Sequence, residues 1–108
     1  MIYLLNSPIL TSYGHWHFEG PLSIARARAL VQAGFSSAVG HESAARLLGH
    51  LLGVTVPVNR VPITMQAGDG ALVLRILARL PEGAVLDAQT LDATPYELSF
   101  LNKTVDSQ

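Results

Sequence analysis

The sequence contains no cysteine, few charged residues and no long apolar run. The lack of cysteine excludes a disulfide framework and a thiolate zinc site. Charged residues make up 14% of the 108, and the formal net charge is −1, so the chain lacks the basic character that binds long DNA or RNA. No segment has the length of a membrane span or the basic start of a signal peptide. We therefore predict a cytoplasmic protein with neither a long nucleic acid nor a membrane as partner.

The composition predicts one folded domain. About half of the residues (49%) are apolar, which is sufficient for a core and excludes general disorder. We expect a single domain over residues 1–108, with a polar tail from about residue 103. A small domain of this hydrophobicity has limited interior, which favours an oligomer, although monomers also expose apolar surface.

The first half of the chain alternates strands with helices. Continuous apolar runs predict buried strands over Ile2–Leu5 and Phe35–Val39. Ser23 is suited to cap a first helix that ends near Gly34, and a second helix ends at Gly53. This order of elements indicates parallel strands joined by helical crossovers.

The second half predicts a different arrangement. The glycines and aspartate of residues 66–70 indicate a hairpin loop between antiparallel strands over Val61–Met65 and Ala71–Leu77. Asp87 is placed to cap a short helix, and Tyr96–Leu101 favours a final strand. We therefore expect an α/β fold with a mixed sheet of about five strands and helices packed on it.

The segment Gly40-His41-Glu42-Ser43 is the strongest functional signal. It lies where a buried strand turns into a helix, and the free N–H groups of a helix N-terminus bind anions such as phosphate. A histidine there can also transfer protons near neutral pH, which favours phosphodiester chemistry. Taken alone, such a histidine is more often a helix cap or a surface residue.

Polar residues follow the first predicted strand as well. Asn6 and Ser7 come directly after it, and the carboxyl ends of parallel strands meet at one edge of a sheet. If the two strands are parallel neighbours, Asn6, Ser7, His41 and Ser43 converge there. The alternatives are a strand-ending turn at Asn6 and Ser7, and a helix-capping role for Ser43 and the amides of residues 40–43.

Four stretches together resemble the small viral and phage anti-CRISPR ring nucleases and their cellular CRISPR-associated relatives. The resemblance covers nearly the whole chain and rests on residues 3–10, 38–43, 56–60 and 78–83. It implies a homodimer that binds cyclic tetra-adenylate across its two-fold axis. It further implies cleavage, without metal or cofactor, into two linear di-adenylates that end in 2′,3′-cyclic phosphate, which would switch off the effectors of type III CRISPR immunity.

The resemblance also implies the catalytic residues. The Gly-His motif and the Arg-Leu-x-Glu-Gly pattern fall on His41, Arg79 and Glu82. His41 suits a general acid and Arg79 a phosphate ligand, whereas Glu82 could accept a proton or orient a neighbour. The alternative for Arg79 and Glu82 is a solvated surface pair.

Two further residues are candidates for ligand contacts. Arg60 could hold a phosphate and Asn59 an adenine edge, unless both only form a turn. His15 and His17 stand two apart, but no third ligand is evident, so we predict no metal site.

An opposed hypothesis needs no catalysis. A module that only sequesters a cyclic nucleotide, or that binds a protein partner, would use the same anion site without an acid. Under either hypothesis, a virus-encoded chain would act in the cytoplasm of the host cell.

Overall fold

The computed structural model describes residues 1–78 and 87–107, and within them the α/β prediction is confirmed. The strands are β1 (Ile2–Leu5), β2 (Gly14–Glu19), β3 (Ser36–Ser37), β4 (Gly70–Ile76) and β5 (Tyr96–Asp106). The helices are α1 (Ile24–Val31), α2 (Glu42–Leu52) and α3 (Ala88–Ala93). The strands form one mixed sheet in the order β2-β5-β4-β1-β3. Strand β1 is parallel to both of its neighbours, whereas β5 is antiparallel to β4 and to β2.

Three helix ends follow the predicted capping residues, whereas α1 ends at Val31 with Gln32, not Gly34, as its C-cap. The Ser23 hydroxyl accepts a 3.1 Å hydrogen bond from the N–H of Arg26 at the start of α1. The Asp87 carboxylate accepts one of 2.8 Å from the N–H of Thr90 at the start of α3. Helix α2 ends at Gly53 with φ 71°, a left-handed conformation that glycine adopts without a Cβ clash. None of the helices in the described ranges is long and apolar enough to cross a bilayer.

The main core lies between the helices and one face of the sheet, which we call the helix face. Leucines of α2 pack there against alternate residues of β1 and β4, because side chains two apart along a strand point to the same face. Leu47 and Leu48 of α2 are fully buried against Leu4 of β1 and Leu72 of β4. This packing holds the N-terminus of α2 near the ends of the parallel strands.

The opposite, open face of the sheet is only partly covered, and here the predicted hairpin is wrong. Residues 61–65 cross this face and bury Met65 against Leu5 and Val73 instead of pairing in the sheet. Both edges of β4 are already occupied, by β1 and β5. Side chains satisfy the Met65 backbone: Thr11 Oγ1 accepts from its N–H at 2.8 Å, and Ser12 Oγ donates to its carbonyl at 3.1 Å.

Two strands differ in length from their predictions. Only Ser36 and Ser37 of the predicted strand over Phe35–Val39 form β3, and the Val39 carbonyl instead accepts a 2.8 Å hydrogen bond from the Asn59 N–H. Strand β5 continues past the predicted end at Leu101 to Asp106, because its last residues pair with β2.

Candidate functional site

The loops that follow β1 and β3 lie side by side at one edge of the sheet. The parallel register pairs Leu4 with Ser37, and the Ala38 N–H donates to the Leu4 carbonyl at 3.0 Å. Beyond the strand ends, the Gly40 N–H donates to Asn6 Oδ1 at 3.4 Å. The structure thus brings two of the predicted ligand residues, Asn6 and Gly40, into contact. Both belong to loops at the carboxyl ends of parallel strands, where α/β sheets commonly bind ligands.

His41 is the N-cap residue of α2, and its side chain does not act as a cap. Its backbone is extended (φ −130°, ψ 136°), and its carbonyl accepts from the Ala45 N–H at 3.0 Å. The imidazole makes no capping hydrogen bond and is exposed. Ser43 lies inside the first turn of α2, half-buried, so a capping role for Ser43 is wrong. The His41 side chain therefore stands at a helix N-terminus without capping the helix.

Arg60 lies over Gly40, next to His41. A Cβ atom on Gly40 would lie 3.3 Å from Nε and 3.5 Å from Cγ of Arg60. Gly40 thus leaves the space that the arginine side chain occupies. Within residues 1–78 and 87–107, no carboxylate lies within 4.0 Å of the Arg60 guanidinium. An exposed guanidinium without a carboxylate partner among these residues, close to a helix N-terminus, is a suitable environment for a phosphate.

Asn59 fixes the segment that carries Arg60. Its side-chain Nδ2 donates to the Ser37 carbonyl at 2.9 Å, and its N–H donates to the Val39 carbonyl at 2.8 Å. The Ser37 hydroxyl in turn donates to the Pro57 carbonyl at 2.6 Å. Residues 57–59 are thereby tied to the outer side of β3. The side-chain N–H group of Asn59 is engaged with the backbone, and its role as a ligand contact stays a prediction.

Two of the three predicted catalytic residues, Arg79 and Glu82, lie outside the described residues. The structure describes the chain up to Ala78, shortly after β4 ends at Ile76. Because β4 is parallel to β1, it ends at the same edge of the sheet as the loops that carry Asn6 and His41. Ser7 is exposed and follows Asn6 at that edge.

A cavity of about 610 Å³ adjoins this edge and was missed by sequence reasoning. Asn6 and Ser7 form one wall, and Phe18, Arg75 and Glu97 line the remainder, together with other residues. An arginine that interrupts the apolar run of β4 was the available signal. The strand pairing shows what this arginine lies next to, because the antiparallel register of β4 and β5 places Arg75 opposite Glu97.

Two of the other histidines lie beside carboxylates. His17 on β2 lies 3.8 Å from the Glu19 carboxylate, and His50 Nε2 lies 2.6 Å from Asp92 Oδ1, which joins α2 to α3. In the part of the chain that the structure describes, no three His, Asp or Glu side chains are grouped as metal ligands would be. His41 is therefore the histidine at the candidate site.

The fold and this edge define the class of protein: a small α/β domain with a mixed sheet and a candidate anion site where its parallel strands end. The chain belongs to the STIV B116-like family, whose model matches residues 2–98. It is 34% identical over 110 residues to ORF117 of Acidianus two-tailed virus, covering 95% of this chain and 93% of that protein.

Further relatives come from a virus and from a bacterium. Protein 26 of a Sulfolobus islandicus filamentous virus is 36% identical over 90 residues, which are 80% of this chain and 76% of that protein. YddF of Bacillus subtilis is 26% identical, with 94% of this chain and 96% of YddF covered. The solved structure of B116 from Sulfolobus turreted icosahedral virus (STIV) superposes with a TM-score of 0.74 at 23% identity, over 93% of this chain and 97% of B116. That likeness shows a shared fold.

Proposed function

We propose that this protein is a metal-independent ring nuclease that cleaves cyclic tetra-adenylate and so switches off type III CRISPR effectors. One observation carries the proposal: His41, whose imidazole makes no capping hydrogen bond, stands at the N-terminus of an eleven-residue helix, and the Arg60 side chain lies over the preceding residue, Gly40. The helix start thus carries a proton donor, and the residue before it is covered by an anion-binding side chain. That combination suits a phosphodiester whose leaving oxygen needs a proton.

The chemistry is an intramolecular displacement at phosphorus. The ribose 2′-oxygen forms a bond to the adjacent phosphorus, and the bond from phosphorus to the 5′-oxygen breaks. The 2′-hydroxyl proton passes to a base, for which Glu82 is a candidate, and the imidazolium of His41 donates a proton to the departing 5′-oxygen. Each cut leaves a 2′,3′-cyclic phosphate and a 5′-hydroxyl, and two cuts divide the ring into two di-adenylates. A well-placed general acid contributes about 10²- to 10⁴-fold in rate.

The arginine side chains of the site have a separate role, which is to stabilise the negative charge that develops on the phosphorane. Arg60 can hold a non-bridging oxygen through its planar guanidinium, and Arg79 is proposed to do the same from the chain beyond β4. Asn6 and Ser7 extend the site along the sheet edge and can position the ribose or phosphate through their polar side chains. Ser43 presents its backbone N–H in the first turn of α2.

A homodimer fits the symmetry of this ligand. A ring of four identical nucleotides has two equivalent halves, and a two-fold dimer presents one His41 site to each. Exposed apolar side chains near the site, Ile9, Leu10 and Val61, are candidates for the contact between the two copies. Both the dimer and its action in a host cytoplasm belong to the proposal.

The experiment incubates the purified protein with cyclic tetra-adenylate in excess EDTA and separates the products by chromatography. His41→Ala is the test variant, and His15→Ala is the control, because His15 is an exposed histidine on the far edge strand β2. We expect wild type and His15→Ala to yield di-adenylate with cyclic phosphate ends. His41→Ala should bind the ring but cut it at least about 100-fold more slowly.

Two other outcomes would change the assignment. If wild type binds the ring and leaves it intact, the protein is a sequestering module and His41 serves binding only. Absence of both binding and cleavage at protein concentrations above the ring concentration would reject the cyclic-nucleotide assignment altogether.

A further inference from the structure

The cavity of about 610 Å³ occupies the uncovered part of the open face of the sheet. Residues 61–65 cover the other part of this face, where Met65 packs on Leu5 and Val73. The cavity lies toward the carboxyl ends of β1 and β4, among Ser7, Phe18 and Arg75. Its volume is within the range of small-molecule sites, roughly 300–1,000 Å³.

The cavity has apolar walls that suit a flat ring. Val73 forms part of its floor, and Pro8 and Pro21 border it. Phe18 lines it with an aromatic side chain that is 56% exposed. Exposed aromatic rings beside a polar cleft are typical stacking surfaces for nucleobases.

Two opposite charges stand next to each other in this cavity. Arg75 on β4 is directly paired with Glu97 on β5 in the antiparallel register, and both side chains are exposed. Among the described residues, neither forms an ion pair within 4.0 Å, whereas Glu19 on the same wall is held by Arg26 at 2.7 Å. The cavity therefore presents one hydrogen-bond donor group and one acceptor group side by side.

The hydrogen-bonding groups of Arg75 and Glu97 are complementary to the major-groove edge of adenine but not to that of guanine. Adenine presents an N6 amino donor beside an N7 acceptor, so a carboxylate can accept from N6 while a guanidinium donates to N7. Guanine presents two acceptors, O6 and N7, on the same edge. The Glu97 carboxylate would face the O6 lone pairs without a proton between them.

The cavity is also placed correctly relative to His41. Asn6 lines the cavity and accepts from the Gly40 N–H, so the two sites share a wall. Strand β3 lies two positions from β4, which is about 10 Å at the usual strand spacing. A nucleotide with its phosphate at Gly40 can reach this distance with its base.

We infer that this cavity is an adenine subsite in which Glu97 and Arg75 read the base edge and Phe18 contacts the ring face. That the adenine belongs to cyclic tetra-adenylate rests on the proposed function. The subsite would set the preference for adenine over other purines. The subsite gives a role to Phe18, Arg75 and Glu97, which take no part in the proposed cleavage chemistry.

The first test measures ring binding in a His41→Ala background, where the ligand stays intact. We expect Glu97→Gln and Arg75→Gln each to weaken binding of cyclic tetra-adenylate about tenfold. Arg46→Gln is the matched control, because Arg46 is an exposed arginine on α2 that pairs with Glu42 of the same helix at 3.4 Å, and the affinity of this variant should be unchanged. Equal affinities for all three variants would overturn the inference.

The second test separates base reading from a structural role. In inosine the N6 amino group is replaced by an oxygen, so wild type should cleave cyclic tetra-adenylate far better than cyclic tetra-inosinate. In Glu97→Gln the preference should fall about tenfold, because a glutamine amide can donate to that oxygen. An unchanged preference would reject Glu97 as the reader.

The third test does not depend on cleavage. Wild-type protein labelled with ¹⁵N is titrated with adenosine and with inosine, and amide shifts are mapped. Larger shifts for adenosine at residues 73–75 and 97–99 support the subsite even if wild type neither binds nor cuts the tetra-adenylate ring, a result that would reject only the proposed function. Shifts elsewhere, none at all, or equal shifts for both nucleosides reject the subsite.

Discussion

The side-chain amide of Asn59 donates a 2.9 Å hydrogen bond to the main-chain carbonyl of Ser37. Together with the bond from the Asn59 N–H to the Val39 carbonyl, it ties residues 57–59 alongside the edge strand β3. Arg60 follows directly and lies over Gly40. Asn59 thus anchors the segment that carries the arginine.

The first prediction concerns Asn59→Ala. Loss of the bond to Ser37 should lower the free energy of unfolding by about 1 kcal/mol, since the side chain is largely exposed and water replaces part of the contact. It should also weaken ring binding, because the segment before Arg60 loosens. Urea unfolding and equilibrium binding measure the two effects.

The control for this variant is Gln89→Ala on α3, an exposed amide in a helix, where alanine is at least as favourable. Its unfolding and binding should match wild type. A stable Asn59→Ala protein with weakened binding would instead indicate that Asn59 contacts the ligand directly.

The second prediction compares two glycines. In Gly40→Ala the new Cβ would lie 3.3 Å from Arg60 Nε, and an exposed arginine can move away, so stability should change by less than about 0.5 kcal/mol. Ring binding and cleavage should fall about tenfold, because the guanidinium leaves its place beside the anion site.

Gly49→Ala should show the opposite pattern. Its Cβ would lie 2.8 Å from the Val54 carbonyl oxygen, a backbone atom that cannot move freely. We expect a loss of about 1–3 kcal/mol in unfolding free energy and normal ring cleavage by the protein that remains folded. Gly40→Ala with full cleavage would show that Arg60 is not required where it lies.

The helices and the parallel part of the sheet could be predicted from the sequence because their signals are local. Ser23 and Asp87 cap helices through bonds to residues three positions away. Gly53 ends α2 because it adopts the left-handed backbone conformation that glycine favours. The buried run at Ile2–Leu5 needed only its composition to be identified as a strand.

The wrong prediction at residues 61–65 has a non-local cause. The segment is apolar, as a buried strand would be, but the Met65 backbone bonds to the side chains of Thr11 and Ser12, more than fifty positions away. Pro62 was the local signal against a paired strand, since proline has no N–H to donate to a sheet. The register that places Arg75 beside Glu97 is equally non-local, and so sequence reasoning missed the cavity.

Only part of the candidate site could be predicted from the sequence. The sequence placed His41 at a helix start and Asn6 at the neighbouring strand end, and the Asn6 contact with Gly40 follows from the parallel pairing of β1 and β3. The backbone bonds of Asn59 could not be predicted, because residues 37 and 59 are adjacent only in the fold, and its role as a ligand contact stays a prediction.

The third prediction concerns Lys103, which is a buried charged residue on β5 with 4% exposure. Its Nζ donates to Ser12 Oγ at 2.7 Å, pairs with Asp106 at 3.0 Å and lies 5.6 Å from the centroid of the Trp16 ring. These contacts hold the loop before β2 to the sheet. Lys103→Met keeps the length of the side chain and removes the charge.

We expect Lys103→Met to lower the unfolding free energy by about 1–3 kcal/mol, because Ser12 and Asp106 lose their buried partner. Lys103→Ala should cost more, since the packing of the aliphatic stem is lost as well. Urea unfolding measures both. A Lys103→Met protein as stable as wild type would mean that the cost of burying the ammonium offsets its contacts.

The fourth prediction is a pH dependence at Asp106. The hydrogen bond from the Lys103 ammonium, followed by that from the Ala67 N–H, lowers the pKa of the Asp106 carboxyl below its ordinary value. A carboxyl whose pKa is lower in the folded state stabilises the fold fully above the unfolded-state pKa of about 3.9. This stabilisation is lost as the pH falls through the lower, folded-state pKa.

Asp106→Asn should therefore unfold more easily than wild type at pH 7, and the difference should shrink below about pH 4 as the wild-type carboxyl becomes protonated. Urea unfolding of both proteins between neutral and strongly acidic pH measures the difference. In a Lys103→Met background most of the pH-dependent difference should vanish, because the ammonium is the largest cause of the lowered pKa. A difference that stays constant over the acidic range would show that Asp106 stabilises the fold without its charge.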